Sequence, residues 1–342
     1  MTSSQLLQNF TVDQLKSLGV NILSVFNDKL LVSCVGLSQL FIYSREGRHL
    51  STITTINNDK LWDATWTPRG NIVYTTCYSN KVVVMSESGK VITTHTQMKD
   101  PRYLSVSNDD IIYLADYKTG VYQSTDDGVS WSLVFKSTDG WHCWQVIKVT
   151  TDHSDDFWTL EESDNNNWHL RVYSVDRRRS DGNVTWRDIN VTTTDDKHID
   201  LSGSSLSYDG NMNIFISDYY NKAVHVLSVN GQYHCQLLSS HHIKNKPCRL
   251  AVDKERQLLY VGQKGNVVGV FKLTYGDEGD WYILCCQVFK LAIRHYLNWG
   301  LITLIILIWN YFCYSFWIIL VNYGDILLWK NEIRNLNTRQ LV

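Results

Sequence analysis

Three carboxylates, Asp116, Glu161 and Asp218, stand at the same place in a recurring pattern, each closing a short apolar run that carries an aromatic. Carboxylates gathered at one channel mouth would bind a cation or a basic ligand, whereas each taken alone would cap its own turn. The same register puts Cys34, Cys77 and Gln263 in the remaining positions and no histidine, so a zinc site is not expected. A second set lies where each unit begins: Trp62, Arg102, Tyr103, Trp141, Trp144 and Arg249. Trp, Tyr and Arg dominate interface energetics, so these six are the candidates for binding a protein or peptide. The run Trp141-His142-Cys143-Trp144 sets a thiol beside an imidazole. Neighbours on a strand point to opposite faces, so that pair seldom meets as nucleophile and base. Gly-rich phosphate loops, GxSxG and HExxH are absent. No catalytic residue is assigned, and no cofactor or metal is expected.

The elements that position these residues are read from a repeat. The pattern is Leu30-Leu31-Val32-Ser33-Cys34, Val73-Tyr74-Thr75-Thr76-Cys77, Ile112-Tyr113-Leu114-Ala115-Asp116, Phe157-Trp158-Thr159-Leu160-Glu161, Ile214-Phe215-Ile216-Ser217-Asp218 and Leu259-Tyr260-Val261-Gly262-Gln263. Its anchors at 31, 74, 113, 158, 215 and 260 recur at the period of a four-stranded propeller blade. Strand, turn and strand follow within units: Glu46-Gly47, the Ser/Gly turn of 81–95 and Asn230-Gly231 each separate a pair of alternating runs. The expectation is an all-β, six-bladed β-propeller over 20–280, the fourth blade carrying an insertion near 161–199. A ring must close its own edge. Some of residues 5–18, within an N-terminal segment 1–19, or else Trp281–Val288, are expected to supply the outer strand of blade six.

The units 101–116, 208–226 and 247–268 resemble the NHL-repeat family of six-bladed propellers: proline, an apolar-small-Val stretch, a turn, then a Tyr-Val-Ala-Asp-like strand. No RING or B-box cluster accompanies them, so the resemblance does not imply ligase activity. Ser124-Thr125-Asp126-Asp127-Gly128-Val129-Ser130-Trp131 resembles the Asp-box hairpin, with a worn copy at Asp181–Trp186. That resemblance implies a structural role, in which the Asp caps turn amides and the Trp packs beneath.

Composition changes near residue 280. The chain has 342 residues and a net charge of −2; residues 1–280 hold 27 Lys+Arg against 32 Asp+Glu, which argues against nucleic acid as partner. From Tyr296 to Gly324 no residue is charged, and 299–321 gives 23 residues of nearly unbroken apolar character. A helix of that length covers roughly the 30 Å hydrocarbon thickness. A linker 281–298, a single C-terminal transmembrane helix 299–321 and a tail 322–342 are therefore expected. The N-terminal stretch lacks the basic start and apolar run of a signal peptide, which places the propeller in the cytosol. On that placement the triplets at Asn9, Asn183 and Asn190 are read as chance. The expected function is a non-enzymatic, monomeric, membrane-tethered propeller that binds a protein or peptide. A soluble RNA- or glycan-binding propeller, or a propeller hydrolase, are the alternatives.

Overall fold

A computed structural model describes residues 3–274, except 16–17, 151–153, 177–183, 193–198, 200 and 203. The described chain is all-β apart from two short 3-10 turns, and its strands form six four-stranded sheets. These are the blades of a propeller, spanning 22–54, 61–95, 101–136, 141–189, 206–238 and 247–274. Blade six takes its fourth strand from the other end of the chain. Ser3–Thr11 pairs antiparallel with Val267–Thr274, Ser3 opposite Thr274 and Thr11 opposite Val267. Trp281–Val288 and the apolar stretch 299–321 lie outside the described residues. Among the described residues no helix is long and apolar enough to cross a membrane.

Each recurring apolar run forms the second strand of its blade, and its anchor is fully buried: Leu31, Tyr74, Tyr113, Trp158, Phe215 and Tyr260. The cause is geometric. A second strand is covered on both faces by neighbouring blades, so it reads as a continuous apolar run. Outer strands such as Val91–His95 meet water and are largely exposed. Six apolar clusters follow from this stacking, one between each neighbouring pair of blades. Tyr113 and Phe135, for example, pack with Phe157 and Tyr173 between blades three and four. The extra length of blade four lies in long strands, Trp141–Thr150, Ser154–Ser163 and Trp168–Asp176, and in the connection that follows Ile189.

The turns joining third to fourth strands hold a glycine in the left-handed region, with φ of 82–87° at Gly47, Gly89, Gly128 and Gly231. In blade three that turn is closed by side chains. Asp126 accepts from Ser124 Oγ (2.8 Å), the Ser130 amide (2.8 Å) and Ser130 Oγ (2.6 Å), and Trp131 Nε1 donates to the Gly128 carbonyl (3.1 Å). Slight desolvation acts to raise the Asp126 carboxyl, but these donors prevail and hold it at about 2. Asp126→Ala is expected to lower stability by about 1 kcal/mol, a modest loss because the cap is half in water. The wild-type contribution is complete above the unstructured value of 3.8 and disappears as the pH falls toward 2. Urea midpoints of the two proteins should therefore converge on acidification; a gap that persists below both values contradicts the cap.

Candidate functional site

The inner strands ring a channel, and four of them carry the same irregularity at their upper, N-terminal ends. Register slips between Leu61 and Asp63, Pro101 and Tyr103, Cys143 and Gln145, and Pro247 and Arg249. The residues squeezed out of pairing are Trp62, Arg102, Trp144 and Cys248. A bulge re-aims one side chain while the strand continues. Here it turns three large side chains from neighbouring blades toward one another.

Arg102 is the centre of the resulting cluster. Its guanidinium carbon lies 3.7 Å from the ring centre of Tyr117, 4.3 Å from Trp144 and 4.7 Å from Trp62. Nε and Nη2 donate to the Asp100 carboxylate at 3.3 and 3.2 Å. Trp144 meets Trp62 edge-on at 6.2 Å, Tyr117 at 5.4 Å, Tyr103 at 5.9 Å and Trp168 at 5.3 Å. One carboxylate oxygen of Glu162 fixes two of these rings, accepting from Trp144 Nε1 (2.7 Å) and Tyr117 Oη (3.2 Å). Cation–π contacts of this kind contribute about 0.5–2 kcal/mol each, more as water is excluded. The cluster is a preset, half-buried aromatic surface.

Arg249 joins the same set from blade six, with its guanidinium 5.1 Å from the Tyr103 ring. It then reaches across the channel to Asp63 on blade two (2.7 Å) and to the Leu104 carbonyl (3.3 Å). Asp63 also accepts from the Leu104 amide at 2.9 Å. Burial pushes the Asp63 carboxyl up, opposed chiefly by the Arg249 charge. Arg249 and Gln145 border two cavities at once, one of about 300 Å³ above and one of about 260 Å³ below. They form the partition of the channel. Gln145 spans blades four and five by gripping both backbone groups of Leu206, at 3.1 and 2.9 Å.

Trp141 sits elsewhere. It packs against Arg171 (4.1 Å) and His169 (4.4 Å), and Arg171 is flanked by Trp186 at 4.5 Å on its other contact. Trp141 thus belongs to a blade-four network in which Arg171 bonds Glu161 (3.0 Å), Asp188 (2.6 Å) and Thr138 (2.8 Å).

The three carboxylates are each used locally. Asp116 is buried and accepts from the amides of Lys99 (2.8 Å), Asp100 (3.0 Å) and Lys118 (3.1 Å). Asp218 is buried and takes the Asn221 amide (2.9 Å) and Nδ2 (2.8 Å), with His225 Nε2 3.5 Å away. Burial works to raise Asp218, but His225 and Asn221 outweigh it and keep the carboxyl low. Glu161 holds Arg171 and Thr159, and its desolvation raises it. None of the three borders the described channel cavities. Among the described residues no three His, Cys, Asp or Glu converge as metal ligands. Cys143 is fully buried and burial pushes its thiol well up, while His142 faces outward, stacked on Tyr117 at 4.4 Å and bonded to Asp164 at 2.8 Å. They form no nucleophile–base pair.

Tyr117, Trp168 and Asp63 belong to the site and were not singled out from the sequence. Tyr117 directly follows Asp116 at the end of a second strand, and Trp168 opens a third strand, so the repeat register that located Trp62 also carried a signal for both. Asp63 gave none, because only the fold brings it to Arg249.

No protein-family model matches the chain, and no curated protein matches it. Solved structures do. Selenomethionine-substituted virginiamycin B lyase from Staphylococcus aureus aligns with a TM-score of 0.54 at 11% identity, over 80% of this chain and 100% of that one. A streptogramin B lyase aligns at 0.53 and 12%, over 79% and 98%. A catalytically inactive histidine-to-alanine variant of the Staphylococcus aureus lyase with quinupristin aligns at 0.54 and 11%, over 80% and 100%. At such identity the likeness is one of fold, and the chain is a six-bladed β-propeller.

Proposed function

We propose that this chain is a binding propeller that takes a protein or peptide partner on its upper face, at Trp62, Arg102, Tyr103, Trp144 and Arg249, with Trp141 outside the contact. The observation that carries this reading is the aromatic surface centred on Arg102, held in place by Glu162 and Asp100 beside a cavity of about 300 Å³. Rigid Trp, Tyr and Arg side chains around a pocket are what interface anchors require. The neighbouring solved structures are lyases, and one is inactive after loss of a histidine. The resemblance of the repeats to the NHL family and of the Ser124–Trp131 turn to an Asp-box hairpin fits a scaffold whose loops bind.

A tether through 299–321, a monomeric state and a cytosolic placement of the propeller complete the proposal, on the strength of the sequence. Carbonate extraction checks the tether: release of the full chain into the soluble fraction removes it. The face is checked with an array of peptides probed with the full chain in non-ionic detergent. Wild type should retain a sequence-related set, and Trp62→Ala/Trp144→Ala should lose it while keeping the folded far-UV spectrum at the assay temperature. Identical sets from the two proteins would reject the face.

A further inference from the structure

Beside the aromatic surface the upper face carries a group of lysines from blades five and six. Lys246 Nζ lies 4.6 Å from the ring centres of both Tyr219 and Tyr220. The Lys264 amide donates to the Lys246 carbonyl at 2.8 Å, which brings the two residues together on neighbouring loops. Lys222 Nζ reaches the Lys244 carbonyl at 3.4 Å. Among the described residues none of these four lysines makes an ion pair. The acids nearest this group are Asp218, which accepts from Asn221, Asp13, which borders a neighbouring cavity with Lys244 and accepts from the Thr11 hydroxyl at 3.0 Å, and Glu162, which accepts from Trp144 and Tyr117. Four lysines without an ion-pair partner among the described residues therefore stand on a face whose parent body, residues 1–280, is net −5.

The cavity of about 300 Å³ connects the two features. Trp144, Trp168, Leu160 and Tyr103 line one side of it, and Tyr219 and Cys248 the other. Tyr219 is the ring on which Lys246 rests. A ligand seated there meets the aromatic side of a pocket whose remaining lining includes Asn21, Gln145, Ser204 and Ser205 and, one side chain further, the Lys246 ammonium. We propose that the partner is an acidic peptide segment that inserts one aliphatic or aromatic side chain into this cavity and lays its carboxylates along Lys222, Lys244, Lys246 and Lys264. The assignment rests on the peptide-binding reading above and gives it a ligand class.

The composition favours a peptide over a nucleic acid. The four lysines lack the planar fork that matches phosphate, and Arg249, which lines the cavity, has its guanidinium engaged with Asp63. The body around it is acidic, which opposes a long polyanion, and four lysines neutralise few phosphates. A carboxylate-bearing segment needs only local charge and a pocket for its anchor.

The test uses full-length protein in non-ionic detergent and fluorescein-labelled heptapeptides read by polarisation. EEELEEE is expected to bind about tenfold or more tightly than either EEEEEEE or KKKLKKK. Lys246→Glu/Lys264→Glu should weaken EEELEEE by about tenfold or more, and added salt should weaken it further. Trp168→Ala should remove the advantage of the leucine while leaving the lysine dependence. Equal binding of EEELEEE and KKKLKKK, or no effect of the charge reversal, overturns the proposal. So does an oligouridylate that outcompetes EEELEEE, which would assign the patch to nucleic acid. If the acidic class fails while the peptide array still depends on Trp62 and Trp144, the face stands and only its ligand class is lost; if both fail, the face is wrong.

Discussion

Replacing Arg249 with methionine lowers the stability of the propeller by about 3–5 kcal/mol. The guanidinium is buried and its 2.7 Å contact to Asp63 joins blade six to blade two across the channel. Without it a fully buried carboxylate keeps only backbone amides, those of Leu104 at 2.9 Å and of Ala64. An unpaired buried charge costs far more than the intact pair contributes. The companion variant separates these terms: Asp63→Leu/Arg249→Met removes both charges and should recover most of the loss, because a packed apolar pair is close to neutral against a buried ion pair. Acidity gives a second readout. Desolvation already raises Asp63 in the wild type, and removing Arg249 raises it further. A carboxyl raised in the folded state binds its proton there first, so stability is retained below the unfolded value and lost as the pH climbs through the folded one. The deficit of Arg249→Met should therefore shrink as the pH is lowered toward the ordinary carboxyl value of 3.8. Urea unfolding measures all three. A single-variant loss under about 1 kcal/mol, or a double variant no better than the single, would show that the channel partition is not held by this pair.

Deleting residues 1–11 should be costlier still. Eight register pairs tie Ser3–Thr11 to Val267–Thr274. At a net 0.5–1.5 kcal/mol per backbone bond the ladder contributes on the order of 5 kcal/mol. Side chains add to it. Phe10 stacks on Tyr43 at 5.7 Å and lies against blade one so closely that a Cβ on Gly47 would come within 2.5 Å of its ring. The strand therefore clasps blade six to blade one. Its loss leaves Val267–Thr274 as an open edge, and open edges recruit other chains. The expected outcome is a truncated protein that unfolds at markedly lower urea and elutes as oligomers. A synthetic peptide of residues 1–12, added in trans, should restore the elution volume of the untruncated protein. A truncated chain that stays monomeric with an unchanged midpoint would mean that the ring closes without this strand.

How much of this was legible depends on where the information resides. The blades were readable because a second strand covered on both faces must be apolar along its length, and that constraint repeats six times with a large buried anchor. The candidate site was only partly readable. Trp62, Arg102, Tyr103, Trp144 and Arg249 meet, as their shared register suggested they could. Trp141, three residues from Trp144, belongs to Arg171 and His169 instead. Residues three apart on a strand face opposite sides, and the one-residue bulge between Cys143 and Gln145 then re-aims Trp144 toward Trp62 and Arg102. The carboxylates shared a register as well, yet Asp116 binds the amides of Lys99, Asp100 and Lys118, Asp218 binds that of Asn221 in its own loop, and Glu161 serves a buried arginine.

Local chemistry was thus determined by the sequence alone: which segments are strands, where glycine must turn them, which side chains have interface character. Pairing across the ring was decided by the tertiary structure. Asp63 and Arg249 are 186 residues apart, and the strand that completes blade six begins at the opposite end of the chain. A periodic pattern specifies the repeating unit because each unit solves the same burial problem. The way six such units close, and which charges then face one another across the axis, depends on distances that exist only once the ring has formed.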